Sequence, residues 1–336
     1  MKQRRKLSRL AWVLLLALVF SVGCAEQKKV EKAEPVKVGR KQAAQEPVTL
    51  ALKFKKGDSA KYLAITEVEK SLDFTGEITK DPQFQSGKTG DRAEMVFSEH
   101  ITDVDEAGNA TAQITIEALK YISKERNVVN LDFDSSREKN KDNELNKLVG
   151  QSYTIKISPK GEVLNVSGGE EIKTIVAGNL PSNRIAVNLV SQELIRRRHN
   201  TEPLTDANDG RFNVGDKWNG RKKVSFAQMG SEVYDKIYTL KDIKQEGGRE
   251  IAVVEIKAIP AVKSGQDSSA VVNMFDNVRE FEGEMRLDLT GGVIEKYYEK
   301  LDSQWVVVDP KTAEEDKELS TIKMGYMQLQ SLEKID

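Results

Sequence analysis

The sequence predicts a mainly β protein: antiparallel meander sheets made from a duplicated module, curved or rolled into a half-barrel, with a helical segment between the copies. Three observations carry that prediction. Apolar residues recur at every second position over most of the chain beyond residue 48, four short blocks recur in the same order in both halves, and a helical period appears only in the middle.

The alternation comes first. Tyr62, Ala64, Thr66, Val68, Leu72 and Phe74 share one parity, as do Ala93, Met95, Phe97 and Ile101 in the next run. Ala110, Ala112, Ile114, Ile116, Ala118 and Ile122 then alternate with Thr, Gln and Glu. A strand with this pattern turns one apolar face to a core and one polar face to water, as a half-buried antiparallel sheet requires. Asp105 to Asn109, with Gly108 inside, links the second and third runs as a hairpin loop.

The duplication follows. Phe54 to Asp58 (FKKGD) recurs as Phe212 to Asp216 (FNVGD), each followed within four residues by an aromatic, Tyr62 or Trp218. Ile101-Thr-Asp103-Val104 recurs as Leu240-Lys-Asp242-Ile243, each with a glycine four residues on, and the strand from Ala112 to Ala118 recurs as Ala252 to Ala258. Ile155-Lys-Ile157-Ser158 with Gly161 recurs as Leu287-Asp-Leu289-Thr290 with Gly291 and Gly292. The competing reading is that alternating hairpins resemble one another. On the duplication reading, residues 49–168 form the first β module, 169–206 a helical connector and 207–336 the second module. The first copy then carries an insert around Gly76 to Asp91.

In the connector, residues 170–178 and 184–199 read as helices, with Ser182 as N-cap of the second. Ile185, Ala186, Leu189, Val190 and Leu194 form a broad apolar stripe. Such a stripe must cover something, and the open apolar face of the sheet is the natural target.

The first 23 residues stand apart. Lys2, Arg4, Arg5, Lys6 and Arg9 precede an apolar run from Leu10 to Phe20, and Ser21-Val22-Gly23 leads to Cys24, the single cysteine. The run is too short to cross a hydrocarbon core, which takes about 20 helical residues, and reads as an export signal. The segment resembles a bacterial lipoprotein signal peptide. That resemblance implies cleavage before Cys24 and acylation of its sulfur with chains such as palmitate. The competing reading is ordinary cleavage after Gly23 with an incidental thiol. An exported chain needing a disulfide would carry an even number of cysteines, whereas this one has its only thiol where a lipid would attach. Ala25, in place of aspartate, implies by the same resemblance the outer membrane, facing the periplasm. Residues 24–48, rich in Lys, Glu, Gln and Ala, read as a flexible tether reaching roughly 25–30 Å.

A second resemblance covers most of residues 49–310. The F-x-x-G-D entry, the Phe133-Asp134-Ser135-Ser136 stretch before Leu145 to Gly150, and the hairpin from Tyr153 to Val166 resemble a family of uncharacterised bacterial lipoproteins with a conserved β-rich domain of unknown function. The resemblance implies an exported, membrane-tethered β protein of the cell envelope and transfers no site residue. In architecture the expected trough is similar to the periplasmic lipoprotein-carrier half-barrel, whose concave apolar face holds acyl chains.

Composition narrows the function. The 52 Lys+Arg balance 53 Asp+Glu, and removing residues 1–23 takes away five positive charges, so the remaining chain is net acidic. Such a body gains nothing from phosphate backbones, which excludes nucleic acid as an expected partner. The two histidines, His100 and His199, are too few for a nitrogen-ligand zinc site, and no metal or cofactor is expected. His199 follows Arg196-Arg197-Arg198 and reads as a solvated helix end, and His100 sits at polar parity and reads as surface. Gly57-Asp58 and Gly215-Asp216 read as tight turns rather than calcium or catalytic sites. Asp132, Asp134 and the Glu314-Glu315-Asp316 run read as strand-end and loop charges. Trp218 and Trp305 read as core or edge residues, with stacking on a sugar as the alternative. Nucleophile elbow, phosphate loop and paired-histidine motifs do not occur.

The expectation is therefore a membrane-anchored, non-enzymatic binding or scaffolding module, with a hydrophobic ligand or an envelope protein as partner. The alternative from another class is a hydrolase with carboxylates at a sheet rim, which would bring two or more acids with displaced pKa values into one cleft.

Overall fold

The computed structural model describes residues 46–207, 210–226, 230–261, 276–308 and 319–335. The signal segment, Cys24, the tether up to residue 45 and the Glu314-Glu315-Asp316 run lie outside the described residues. Gln45–Asp336 forms one compact unit.

After a short strand β1 (Val48–Thr49) come β2 (Ser59–Thr75), β3 (Gly87–Val104), β4 (Ala110–Glu125), β5 (Val128–Asp134), β6 (Ser152–Ile157) and β7 (Val163–Ser167). Helices α1 (Gly169–Val176), α2 (Pro181–Leu189), α3 (Gln192–His199) and α4 (Glu202–Ala207) follow. The second half contains β8 (Arg211–Phe212), β9 (Lys217–Ser225), β10 (Ser231–Glu246), β11 (Arg249–Pro260), β12 (Asp276–Asp288), β13 (Val293–Val308) and β14 (Thr321–Ile335). All the long strands join one antiparallel sheet in the order β7-β6-β4-β3-β2-β14-β13-β12-β11-β10-β9, with β5 added on β4. The path ends at β7 and β9 and does not close into a barrel. The two halves are stitched where β2 pairs with β14, from Lys61↔Ile335 to Thr75↔Thr321.

The halves repeat each other: the path β2-β3-β4-β6-β7 is matched by β9-β10-β11-β12-β13. The entry turns match in their backbone hydrogen bonds. Gly57 and Gly215 adopt φ of +91° and +99°, which a side chain would resist. The Gly57 N–H donates to Ile101 O at 2.8 Å and receives its equivalent in Gly215 N–H to Leu240 O at 2.7 Å. Ile101 and Leu240 in turn donate to Asp58 O and Asp216 O. Each of these residues also begins a bulge, Ile101/Asp103 on β3 and Leu240/Asp242 on β10. The bulges correct the sequence alignment of the later blocks. Ala112 lies opposite Ile101 and Val254 opposite Leu240, so Val254, not Ala252, is the counterpart of Ala112. Likewise Met285, not Leu287, answers Ile155. A slide of two residues keeps every side chain on its face, so periodicity alone cannot detect it.

Two further expectations are corrected. Gly87 to Asp91 belongs to β3, paired with β2 from Leu72↔Gly87 onward, so only residues 76–86 leave the sheet. Its glycine-rich composition reads as a turn, but the long partner strand supplies the pairing. The second connector helix is also two helices. It breaks after Val190, and the Ser191 side chain accepts the Leu194 N–H to open α3. Pro181 occupies the first turn of α2 and the Asn183 Oδ1 accepts the Leu180 N–H, so Ser182 is not the cap.

The sheet is strongly rolled at one end. The Leu52 N–H donates to Pro159 O in the β6–β7 hairpin, and the next residue, Lys53, donates to Gly292 O in the β12–β13 turn. On a flat sheet β6 and β13 lie five strand spacings apart, about 24 Å. Consecutive residues can reach both only if the strands curl around them. Residues 50–54 thus form a strap across that end, with Leu50 and Leu52 buried and Val48 paired to Phe212. At about 1.5–3 kcal/mol for each fully buried leucine, the strap is held by burial as much as by its hydrogen bonds.

Candidate functional site

The inner face of the sheet is built by the alternating residues of each strand, and the helices cover its middle. The basic run at the end of α3 is the fastener, which overturns its reading as a solvated helix end. Arg196 donates to the carbonyls of Val163 and Leu164 on β7. Arg197 Nε donates to the Gln330 side chain on β14, and Gln330 Nε2 donates back to Arg197 O at 2.6 Å. Arg198 and His199 are buried. Arg198 donates to the Tyr153 hydroxyl at 3.1 Å and to Leu189 O at 2.9 Å. Because arginine can only donate, the phenol proton is free to point at His199 Nε2, 2.8 Å away. Burial, reinforced by the Arg198 charge, drives the His199 imidazole well below its usual range, so the ring is the neutral acceptor this bond needs. Its edge meets the Phe97 ring with centroids 4.9 Å apart. His100 lies on the outer face, as its parity predicts, beside Ser59 at 2.9 Å.

Beneath the strap lies a cavity of about 200 Å³. Phe54, Tyr62, Phe97, Ile294 and Leu332 supply apolar wall, and the Tyr62 and Phe97 rings stack at 5.6 Å. One carboxyl faces this wall. Glu99 shares the parity of Phe97 and Ile101, and its cross-strand neighbour on β2 is the small Ala60. Burial alone pushes the Glu99 carboxyl up to about 7.

A second cavity, about 350 Å³, opens at the other end of the same face. Leu72 and Phe74 of β2, Met324 and Tyr326 of β14, Trp305 of β13 and Phe226 after β9 line it. The Phe226 ring stands edge-on to both Trp305 and Tyr326, at 5.1 and 5.0 Å. Leu72 is 44% exposed there. Its charged lining residues, Lys70 and Arg126, are both cationic. Trp305 and Trp218 are both buried, and the Trp218 indole N–H donates to Pro203 O at 2.9 Å.

Between the cavities the inner face carries a buried ion cluster. Lys236 of β10 is completely buried and pairs with Glu299 of β13 and Glu202 of α4. Lys222 of β9 reaches the other Glu299 oxygen at 2.8 Å. Strands β9 and β13 are four spacings apart, about 19 Å on a flat sheet, so these side chains meet only because the second half is concave too. Two glycines make the room: Gly220 lies opposite Lys236 and Gly283 opposite Glu299, and a Cβ on Gly220 would strike the Asp206 carboxylate. Asp206 accepts from the Tyr238 hydroxyl at 2.7 Å, and burial raises its carboxyl. For Glu299, burial raises the carboxyl but the attraction of Lys222 and Lys236 outweighs it, leaving the group below the ordinary range.

The cluster does hold acids with displaced pKa values. Its charges, however, are matched within hydrogen-bonding distance, and the adjoining cavity is only about 10 Å³. Among the described residues no group of three or more His, Cys, Asp or Glu is placed to hold a metal ion. Asp132 is bound by both Arg137 terminal nitrogens, and Asp134 accepts from Ser136, as strand-end charges do.

None of Glu99, Lys222, Lys236 and Glu299 stands out by motif. Three of them carried a legible signal: a charge at apolar parity, with Glu99 between Phe97 and Ile101, Lys236 between Tyr234 and Tyr238, and Glu299 between Tyr297 and Leu301.

Comparison with known proteins adds a family. No curated protein matches. A solved structure described as "lipid-protein interactions in lipovitellin" aligns over 84% of this chain with 12% identity and a TM-score of 0.40, and the chain spans 26% of that structure's length. The model of a family of unknown function, DUF6263, matches residues 107–298, from the β3–β4 loop into β13. More than half of the chain is matched, and it belongs to this family of unknown function.

Proposed function

We propose that this protein is a non-enzymatic binding module for a hydrophobic ligand of acyl-chain character, anchored at the bacterial envelope by a lipid on Cys24. The observation that carries the ligand is the larger cavity. Its volume of about 350 Å³ falls in the range of small-molecule sites, and its wall joins six apolar or aromatic side chains to two cations. Leu72, 44% exposed on that wall, would be covered by such a ligand. Lys70 and Arg126 favour an anionic head group at the same place. A non-enzymatic role is supported by the ion cluster, where the charges are spent on one another.

The test is titration with 11-(dansylamino)undecanoic acid. Saturable binding is expected, and Leu72→Trp, which fills the cavity from a partly exposed position, should weaken it at least ten-fold with an unchanged Tm. Equal binding by the variant would overturn the assignment. Protein purified from its native host should carry a lipid detectable by mass spectrometry, whereas ligand-free protein points to a scaffolding role. For the anchor, Cys24→Ala should move the protein out of the membrane fraction and abolish fatty-acid labelling. Labelling that persists would show that the lipid is elsewhere.

A further inference from the structure

We propose that the smaller cavity beneath the strap is a separate site for a small aromatic amine, with Glu99 as the acceptor of its ammonium group. Size and wall come first. A dry apolar cavity of about 150 Å³ accommodates benzene, so about 200 Å³ takes a phenyl ring with a short chain. Tyr62, Phe97 and Phe54 offer ring faces and edges to it. The space beside the carboxyl exists because Ala60 is Glu99's neighbour across the strand pair, where a larger residue would fill it.

The free carboxyl on the wall favours an amine. Among the described residues Glu99 makes no hydrogen bond or ion pair, whereas the cations that border the cavity are engaged. Lys53 donates to the carbonyls of Leu289 and Thr290, at 2.6 and 3.4 Å, and Lys334 lies 3.7 Å from Glu295. His199, also on the wall, is committed to Tyr153 and held neutral. Asp58, exposed where it borders the cavity, adds a second negative group. To Glu99, half-buried on that wall, a ligand would bring an N–H donor and a positive charge. Ring faces at the same place favour a cation as well. An anionic ligand would find Lys53 and Lys334 already engaged. This selectivity is opposite to that of the larger cavity, with its lysine and arginine, so the two sites take different chemistry.

Three probes that share a phenethyl frame test this on the intact protein: 2-phenylethylamine, propylbenzene and 3-phenylpropanoate, followed by calorimetry and by the side-chain NMR signals of Tyr62 and Phe97. The amine is expected to bind at least ten-fold more tightly than the hydrocarbon, and the carboxylate more weakly than either. Glu99→Gln should cost the amine at least ten-fold while leaving propylbenzene unchanged, and Ala60→Leu should remove binding of all three without affecting the dansyl fatty acid in the larger cavity. Amine and hydrocarbon binding equally, or an anion binding best, would overturn the proposal on the unmutated protein alone. Full amine affinity in Glu99→Gln would overturn the role of the carboxyl.

Discussion

Replacing Glu299 by leucine should destabilise the protein by about 3–5 kcal/mol. The loss does not measure the value of the ion pair. It measures what remains: Lys236, fully buried, and Lys222, 17% exposed, with only the partly exposed Glu202 of α4 to offset their charge. Removing all three charges together, as Lys222→Met, Lys236→Met and Glu299→Leu, should therefore recover most of the loss, because an apolar replacement carries no desolvation cost. Urea midpoints at constant slope measure both. A single variant costing less than about 1 kcal/mol, or a triple variant as unstable as the single one, would refute this account. The pH sign follows from the same geometry. The folded Glu299 carboxyl lies below its ordinary value of 4.5, so its contribution is present above that pH and is lost as acid protonates the folded group. The triple variant should accordingly lose less stability below pH 4.5 than the native protein does.

Glu99→Gln has the opposite sign and a different pH window. In the folded protein this carboxyl keeps its proton up to about pH 7, whereas the unfolded chain releases it near 4.5. Between those values the folded state binds more protons, so native stability falls as pH rises, and above 7 the whole cost of the buried charge is present. That cost is about 1–3 kcal/mol, allowing for screening by water in the cavity. The glutamine variant cannot ionise. It should match the native protein at pH 4.5 and exceed its stability by that amount at pH 8, read from urea unfolding at the two pH values. Equal stability at pH 8 would show that the carboxyl is solvated.

The two residues illustrate what could be read from the chain. Alternation located Phe97 and Ile101 on the inner face, and the same two-residue period, carried through, would have put Glu99 between them and Glu299 between Tyr297 and Leu301. It could not tell that Glu299 meets two lysines from β9 and β10 while Glu99 meets none, because those partners come from strands far away in sequence. The basic run at residues 196–198 failed for the same reason. As a string it reads as a solvated helix end, and only the packing of α3 against β7 and β14 gives its guanidinium groups carbonyl and amide acceptors.

What the chain by itself determined is local: the two-residue period that assigns each side chain to a face, the Gly-Asp turns that open both copies, and the repetition of the blocks between them. These depend on neighbours a few residues apart, where backbone geometry dictates the outcome. The tertiary structure decided that the first long strand pairs with the last, that the strap draws the β6–β7 and β12–β13 hairpins together, and that the face so curled holds one cavity bordered by acids and cations together and another bordered by cations. Those outcomes rest on burial summed over strands distant in sequence, and a two-residue slide or a change of strand partner leaves the alternating pattern of every segment intact.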